Sequence, residues 1–115
     1  MPGSLSMNYK VKTIASFDKS LKRLAKKYPS LKTEYIALLD SLEVNPEQGT
    51  AICKNCYKIR IAIASKGKGK SGGARIITHV LIEGTTVFLL DIYDKSEQSN
   101  ISDKELMNLL KEIIN

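Results

Sequence analysis

No aspartate or glutamate occurs in residues 50–82, although the same stretch carries Lys54, Lys58, Arg60, Lys66, Lys68, Lys70 and Arg75. A block of one charge sign favours a polyanionic partner, because released counterions add to the Coulomb attraction. The chain also has no run of about 18 apolar residues, which excludes a membrane-spanning helix. Its N-terminus carries no apolar signal-peptide core, so a cytoplasmic protein without a membrane partner is expected. Cysteine is scarce. Cys53 and Cys56 form a single Cys-x-x-Cys, and a zinc site of about four ligands would need a second pair. A redox pair sits where a strand runs into a helix, whereas here a strand follows. Two reduced cysteines at a strand entrance are therefore expected.

What is present describes one small basic domain. The chain has 115 residues and a formal net charge of +6, enough for a single compact domain with one modest core. Residues 1–6 (MPGSLS) read as an expression-vector extension, leaving residues 7–115 as the domain. The positive charge is localised. Lys19, Lys22, Arg23, Lys26 and Lys27 crowd the first helical stretch against Asp18 alone, while residues 94–115 hold five acids and three bases.

Residues 9–15 (YKVKTIA) alternate polar and apolar with β-branched members, which predicts a strand. Ser16 is placed to cap a helix bearing Phe17, Leu21, Leu24 and Tyr28 at helical spacing. Pro29 ends it, since the residue before proline avoids helical angles. Ser30 opens a second helix with Leu31, Tyr35, Leu38, Leu39 and Leu42, and the short link makes a helical hairpin. After the turn signal NPEQG, residues 57–64, 74–82 and 85–93 read as three strands, the last two joined by a tight turn at Glu83-Gly84. Ser102-Asp103-Lys104-Glu105 has capping-box spacing and opens a terminal helix with Leu106, Leu109, Leu110, Ile113 and Ile114 as its apolar face. The order β-α-α-β-β-β-α predicts an α+β domain, a small antiparallel sheet packed on one face by the hairpin, plus a C-terminal helix. Strand alternation sends Ile59, Ile61 and Ile63 toward the helices, and Lys58 and Arg60 to an opposite face expected to be open.

The string Gly69-Lys70-Ser71 imitates the end of a nucleotide-binding P-loop. That mechanism needs a helix immediately after Lys-Ser so that its amides meet the phosphates. Gly72, Gly73 and a β-branched strand follow instead. Lys66, Lys68 and Lys70 among glycines suit an extended phosphodiester backbone better than one triphosphate.

The lysine-rich LKRLAKKYPSLK, NPEQG, YKIRIAI, GKGKSGGARIIT and LLDIYDKSE, which together span almost the whole chain from Met7, resemble the RelE/ParE superfamily of bacterial toxin–antitoxin toxins, nearest in pattern to its RelE-like and HigB-like branch. The resemblance implies a ribosome-dependent messenger-RNA endonuclease, or mRNA interferase, that halts translation without a cofactor. Its implied partners are mRNA, the ribosome with its rRNA, and a cognate antitoxin protein that masks the basic face. It also implies reliance on Lys, Arg and Tyr rather than a histidine pair, and places Arg60 and Arg75 at the family's arginine positions and Tyr93 at an aromatic one.

Such chemistry is readable in the residues. Cleavage by RNA's own 2′-hydroxyl needs a base at that hydroxyl, cations on the pentavalent phosphate and an acid for the departing 5′-oxygen, with no metal required. Arg60 and Arg75 are the candidate phosphate clamps. Tyr93 is a candidate to stack on a base or exchange a proton, with a core tyrosine as the alternative. Lys66 and Lys95 are the candidate proton carriers, because crowded cations favour a neutral lysine. Lys54, Lys58, Lys68 and Lys70 are assigned to RNA binding. His79 lies about 13 Å along the strand from Arg75 and reads as structural. Asp91 is a candidate ion-pair partner for Arg60. Asp91 and Asp94 would repel RNA, so orienting a lysine or tyrosine suits them better. Two other functions share these features: a ParE-like inhibitor of DNA gyrase without nuclease activity, and an inactive basic nucleic-acid-binding module.

Overall fold

A computed structural model describes residues 8–53, 55–67 and 72–114. Strand β1 (Lys10–Thr13) leads directly into helix α1 (Ala15–Lys27), whose N-cap is Ile14 and not Ser16. Phe17 and Leu24 are buried on its inner stripe while the lysines face water. Helix α2 (Leu31–Val44) returns alongside, and the Phe17 and Tyr35 rings meet 5.7 Å apart between the two helices. Ser30 precedes α2 without capping it. Its hydroxyl bonds Glu34 and Ser65 instead.

The rest of the chain builds the sheet: β2 (Thr50–Cys53), β3 (Cys56–Ile61), β4 (Ala74–Leu81) and β5 (Thr86–Asp94), closed by helix α3 (Asp103–Ile114). The strand order is β1-β5-β4-β3-β2. Pairing is antiparallel except between β1 and β5, which run parallel because the helical hairpin and three strands intervene. Strand β2 was not expected from the sequence. It pairs Cys53 opposite Cys56 across a two-residue connection in which Asn55 has φ 60°. Asparagine tolerates that left-handed geometry better than most residues. Gly49 is forced: its φ is +92°, and a Cβ there would lie 2.3 Å from the Lys58 carbonyl oxygen.

The core lies between the sheet and the hairpin. Ile59, Ile61, Ile63, Ile76 and Ile92 are buried with Phe17, Leu24, Leu31 and Leu42. This is the α+β architecture expected, with the isoleucines of β3 in the core. The expected capping box forms at the start of α3: the Glu105 amide donates to Ser102 Oγ at 3.1 Å, and the Ser102 amide to Glu105 Oε1 at 3.1 Å. Among the described residues no helix is long and apolar enough to cross a membrane.

Candidate nucleic-acid interface

Register decides which polar side chains meet. Arg60 of β3 lies opposite Arg75 of β4, and Arg75 lies opposite Tyr93 of β5. Residues directly opposite share a face, so the three form one row across the three inner strands, about 10 Å from end to end. Like charges opposite one another destabilise a sheet. Two guanidiniums in register therefore cost stability unless an anion lies over them.

The face carrying this row is not open, as expected from the sequence, but partly roofed. Asn100 Oδ1 accepts a bond from Lys58 Nζ at 3.3 Å, and Asn100, Ile101, Asp103 and Leu106 line a small recess with Lys58 and Ile52. Leu106 of α3 is buried. Periodicity revealed the apolar stripe of α3 but not the surface it would cover. Arg60 remains exposed, whereas Arg75 and Tyr93 are only 5% and 3% accessible. On the open side, Gln48, Gly49, Thr50, Lys58 and Arg60 line a groove of about 260 Å³.

Tyr93 Oη is one of two buried side-chain polar atoms that have no hydrogen-bond partner among the described residues. Burial pushes its phenol above the ordinary value, outweighing the opposite pull of Arg75. The group is thus a hydroxyl at neutral pH, suited to donate a proton or hydrogen bond. Arg75 donates to the Ala74 carbonyl at 3.1 Å. Lys95 follows the row: its amide bonds the Gly73 carbonyl at 3.0 Å and its Nζ the Ser99 carbonyl at 3.3 Å. Gly73 is required on its other side, since a Cβ there would stand 2.1 Å from the Ile61 carbonyl oxygen.

Lys66 is not part of this row. It ends a short 3-10 turn (Ala64–Lys66), and its ammonium, 9% accessible, forms an ion pair with Asp94 and a 3.3 Å bond to Ser96 Oγ. Its Nζ is engaged by these two partners and lies over the Tyr28 ring, 5.7 Å from the centroid. The sequence showed a lysine in a basic block; the acid it meets lies 28 residues downstream. Asp94 gathers more donors: Tyr28 Oη at 2.5 Å, Ser96 N at 2.9 Å and Ser96 Oγ at 2.7 Å. Burial alone would raise this carboxyl, but the bonds from Lys66, Tyr28 and Ser96 hold it below the usual carboxylate range.

Arg60 does not pair with Asp91. Asp91 accepts a hydrogen bond from Ser20, and burial, its largest influence, raises its carboxyl. His79 Nδ1 sits 3.4 Å from Cys56 Sγ, and burial lowers its imidazole. Lys54, Lys68, Lys70 and the expected extension at residues 1–6 lie outside the described residues. The helix a P-loop requires is not there, because β4 begins at Ala74.

Residues 18–113 match the family described as the RelE toxin of the RelE/RelB toxin–antitoxin system. The fold is similar to that of the Escherichia coli RelE toxin, solved in the free state as a mutant with two arginines replaced by alanine, at a TM-score of 0.55 and 18% identity over 93% of this chain and 99% of that one. The isolated E. coli RelE toxin gives 0.51 and 20%, over 91% and 98%. The RelBE2 toxin–antitoxin complex of Mycobacterium tuberculosis gives 0.58 and 16%, over 76% and 92%. With residues 18–113 matched by that family, this chain belongs to the RelE toxins.

Proposed function

We propose that the chain is a toxin that cuts messenger RNA on the ribosome, using the RNA's own 2′-hydroxyl. What carries this assignment is the in-register row Arg60–Arg75–Tyr93, two cations and a buried, unpartnered hydroxyl on adjacent strands. In the proposed reaction the 2′-oxygen bonds to phosphorus and the bond from phosphorus to the 5′-oxygen breaks. A 2′,3′-cyclic phosphate and a 5′-hydroxyl result. Arg75 and Arg60 clamp the non-bridging oxygens, since guanidinium binds phosphate in a fork and stays charged. Tyr93, held as a phenol, protonates the departing 5′-oxygen. Lys95 takes the 2′-proton, because it follows Tyr93 in the chain by two residues while Lys66 is paired with Asp94. Lys58, with Lys54, Lys68 and Lys70 of the acid-free block, holds the RNA. RNA enters over the exposed Arg60 side.

The proposed site of action is the cytoplasm, where a cognate antitoxin keeps the toxin silent. The partner assignment is supported by a groove of about 500 Å³ between α1 and α2, where Leu21, Ala25, Tyr35 and Ile36 lie within a rim of Lys22, Lys26 and Lys32. The function is tested by messenger-RNA cleavage in a translating extract, comparing the parent with Arg75→Ala. Cleavage by the parent alone is expected. Equal cleavage by both would remove the site, and supercoiling inhibition with translation untouched would mark a gyrase poison instead.

A further inference from the structure

Asp94 is fully buried, yet it follows Tyr93 directly and precedes Lys95. Its carboxylate joins three parts of the chain. Lys66 brings in the turn Ala64–Lys66, which leads into the lysine–glycine segment. Ser96 brings in the turn that carries Lys95. Tyr28 brings in the end of α1. The same 3-10 turn is pinned from its other side: Ala64 N–H donates to Glu34 Oε2 at 2.6 Å, and Ser65 N–H to Ser30 Oγ at 2.9 Å. Such a hub exceeds what closing a loop requires. A buried ion pair contributes little net stability over an apolar pair of similar volume. Its use is geometric: it gives one fixed separation where apolar side chains would allow several.

We propose that Asp94 and Lys66 are a positioning pair, which sets the placement of Lys95 beside the Arg75–Tyr93 row. The proposal rests on the nuclease function and assigns neither residue a contact with RNA. Lys66 in particular acts through Asp94 and not as a proton carrier.

The test uses the full chain with four variants: Asp94→Asn, Lys66→Met, Lys66→Arg and the charge-free double variant Lys66→Met/Asp94→Asn, which guards against failure to fold. Cleavage is measured where circular dichroism shows each variant folded. Asp94→Asn and Lys66→Met are expected to lower kcat about 10²-fold. Affinity for a 2′-O-methyl RNA oligonucleotide, which cannot be cut, should stay within about twofold. Lys66→Arg should recover most of the rate, because it keeps the ion pair. The double variant should fall no further than either single one. Should Lys66→Arg be as inactive as Lys66→Met, Lys66 is a proton carrier and the proposal is overturned, since arginine cannot deprotonate. Parental rates in Asp94→Asn would overturn it equally. A parent that cuts no RNA sinks the nuclease function instead, and amide resonances then decide. Those of Gly73 and Lys95 should move in Asp94→Asn while those of Cys56 and His79 stay. If the first pair does not move, positioning is wrong on its own terms.

Discussion

Tyr93 and Asp94 are neighbours in β5, both buried, and strand alternation points them to opposite faces of the sheet. Their surroundings differ sharply. Asp94 meets Lys66, Tyr28 and Ser96, and its hydrogen-bonding capacity is used. The Tyr93 hydroxyl meets no partner among the described residues, and its row holds two arginines. Polar groups that only hold a fold are satisfied within it, because an unmade buried hydrogen bond costs about 1–3 kcal/mol. A hydroxyl left without a partner on the other face forgoes that contribution. The same strand thus separates a completed network from a hydroxyl that has no partner among the described residues.

The largest expected effect falls on the completed side. Asp94→Ala leaves Lys66 charged and almost buried without its partner, and breaking a buried pair in this way costs about 3–5 kcal/mol. Chemical denaturation should show that loss, and a change below about 1 kcal/mol would mean that Asp94 is no better satisfied than Tyr93. Acid should act on the same group. Its carboxyl is depressed in the folded state, so its stabilisation is fully present above the ordinary carboxylate value and is lost as pH falls toward its own lower one. Urea melts repeated at decreasing pH should therefore weaken in that acidic window for the parent and less so for Asp94→Asn.

On the Tyr93 side the expectation reverses: function suffers and the fold does not. Arg75→Ala should lower cleavage about 10²–10³-fold, the usual consequence of losing one group that stabilises transition-state charge. Circular dichroism should show that the variant still folds. Tyr93→Phe is the sharper test. It removes only an unpartnered hydroxyl, so its melting midpoint should be unchanged or higher, while a general acid's loss lowers the rate about 10²-fold or more. A destabilised Tyr93→Phe would show that the hydroxyl is bonded after all.

Much of this contrast was legible in the sequence, and the illegible part has a physical cause. Alternation in YKIRIAI placed Arg60 opposite the core isoleucines, and the β-branched run after Arg75 excluded a P-loop helix. Local pattern carries that information. It does not say what covers a face, so the recess formed over Lys58 by Asn100, Ile101, Asp103 and Leu106 went unforeseen. Nor does it pair a lysine with an acid 28 residues away, so that Lys66 is the lysine meeting Asp94 could not be read from it. Residues 62–64 look like strand by composition, yet β3 ends at Ile61 because Ser30 and Glu34 hold the next turn. Strand β2 has only four residues, too few for alternation to register against the preceding turn.

The smallest effect concerns His79, which shares the face of the arginine row but belongs with the satisfied groups. Its imidazole lies against Cys56, and burial pushes that thiol up to about 12, so the pair is neutral at pH 7. Burial also lowers His79, so the folded chain resists protonating it where the unfolded chain does not. The stabilisation is complete above the ordinary histidine value, near 6.5, and is lost as pH falls toward the depressed one. A proton resonance of this one imidazole should titrate below that ordinary value. His79→Gln should leave cleavage at neutral pH within about twofold, because a neutral side chain two rows from Tyr93 adds no cation to the phosphate site. A loss comparable to that of Arg75→Ala would place His79 among the reacting groups, and the divide drawn between the two kinds of buried polarity would no longer hold on this face.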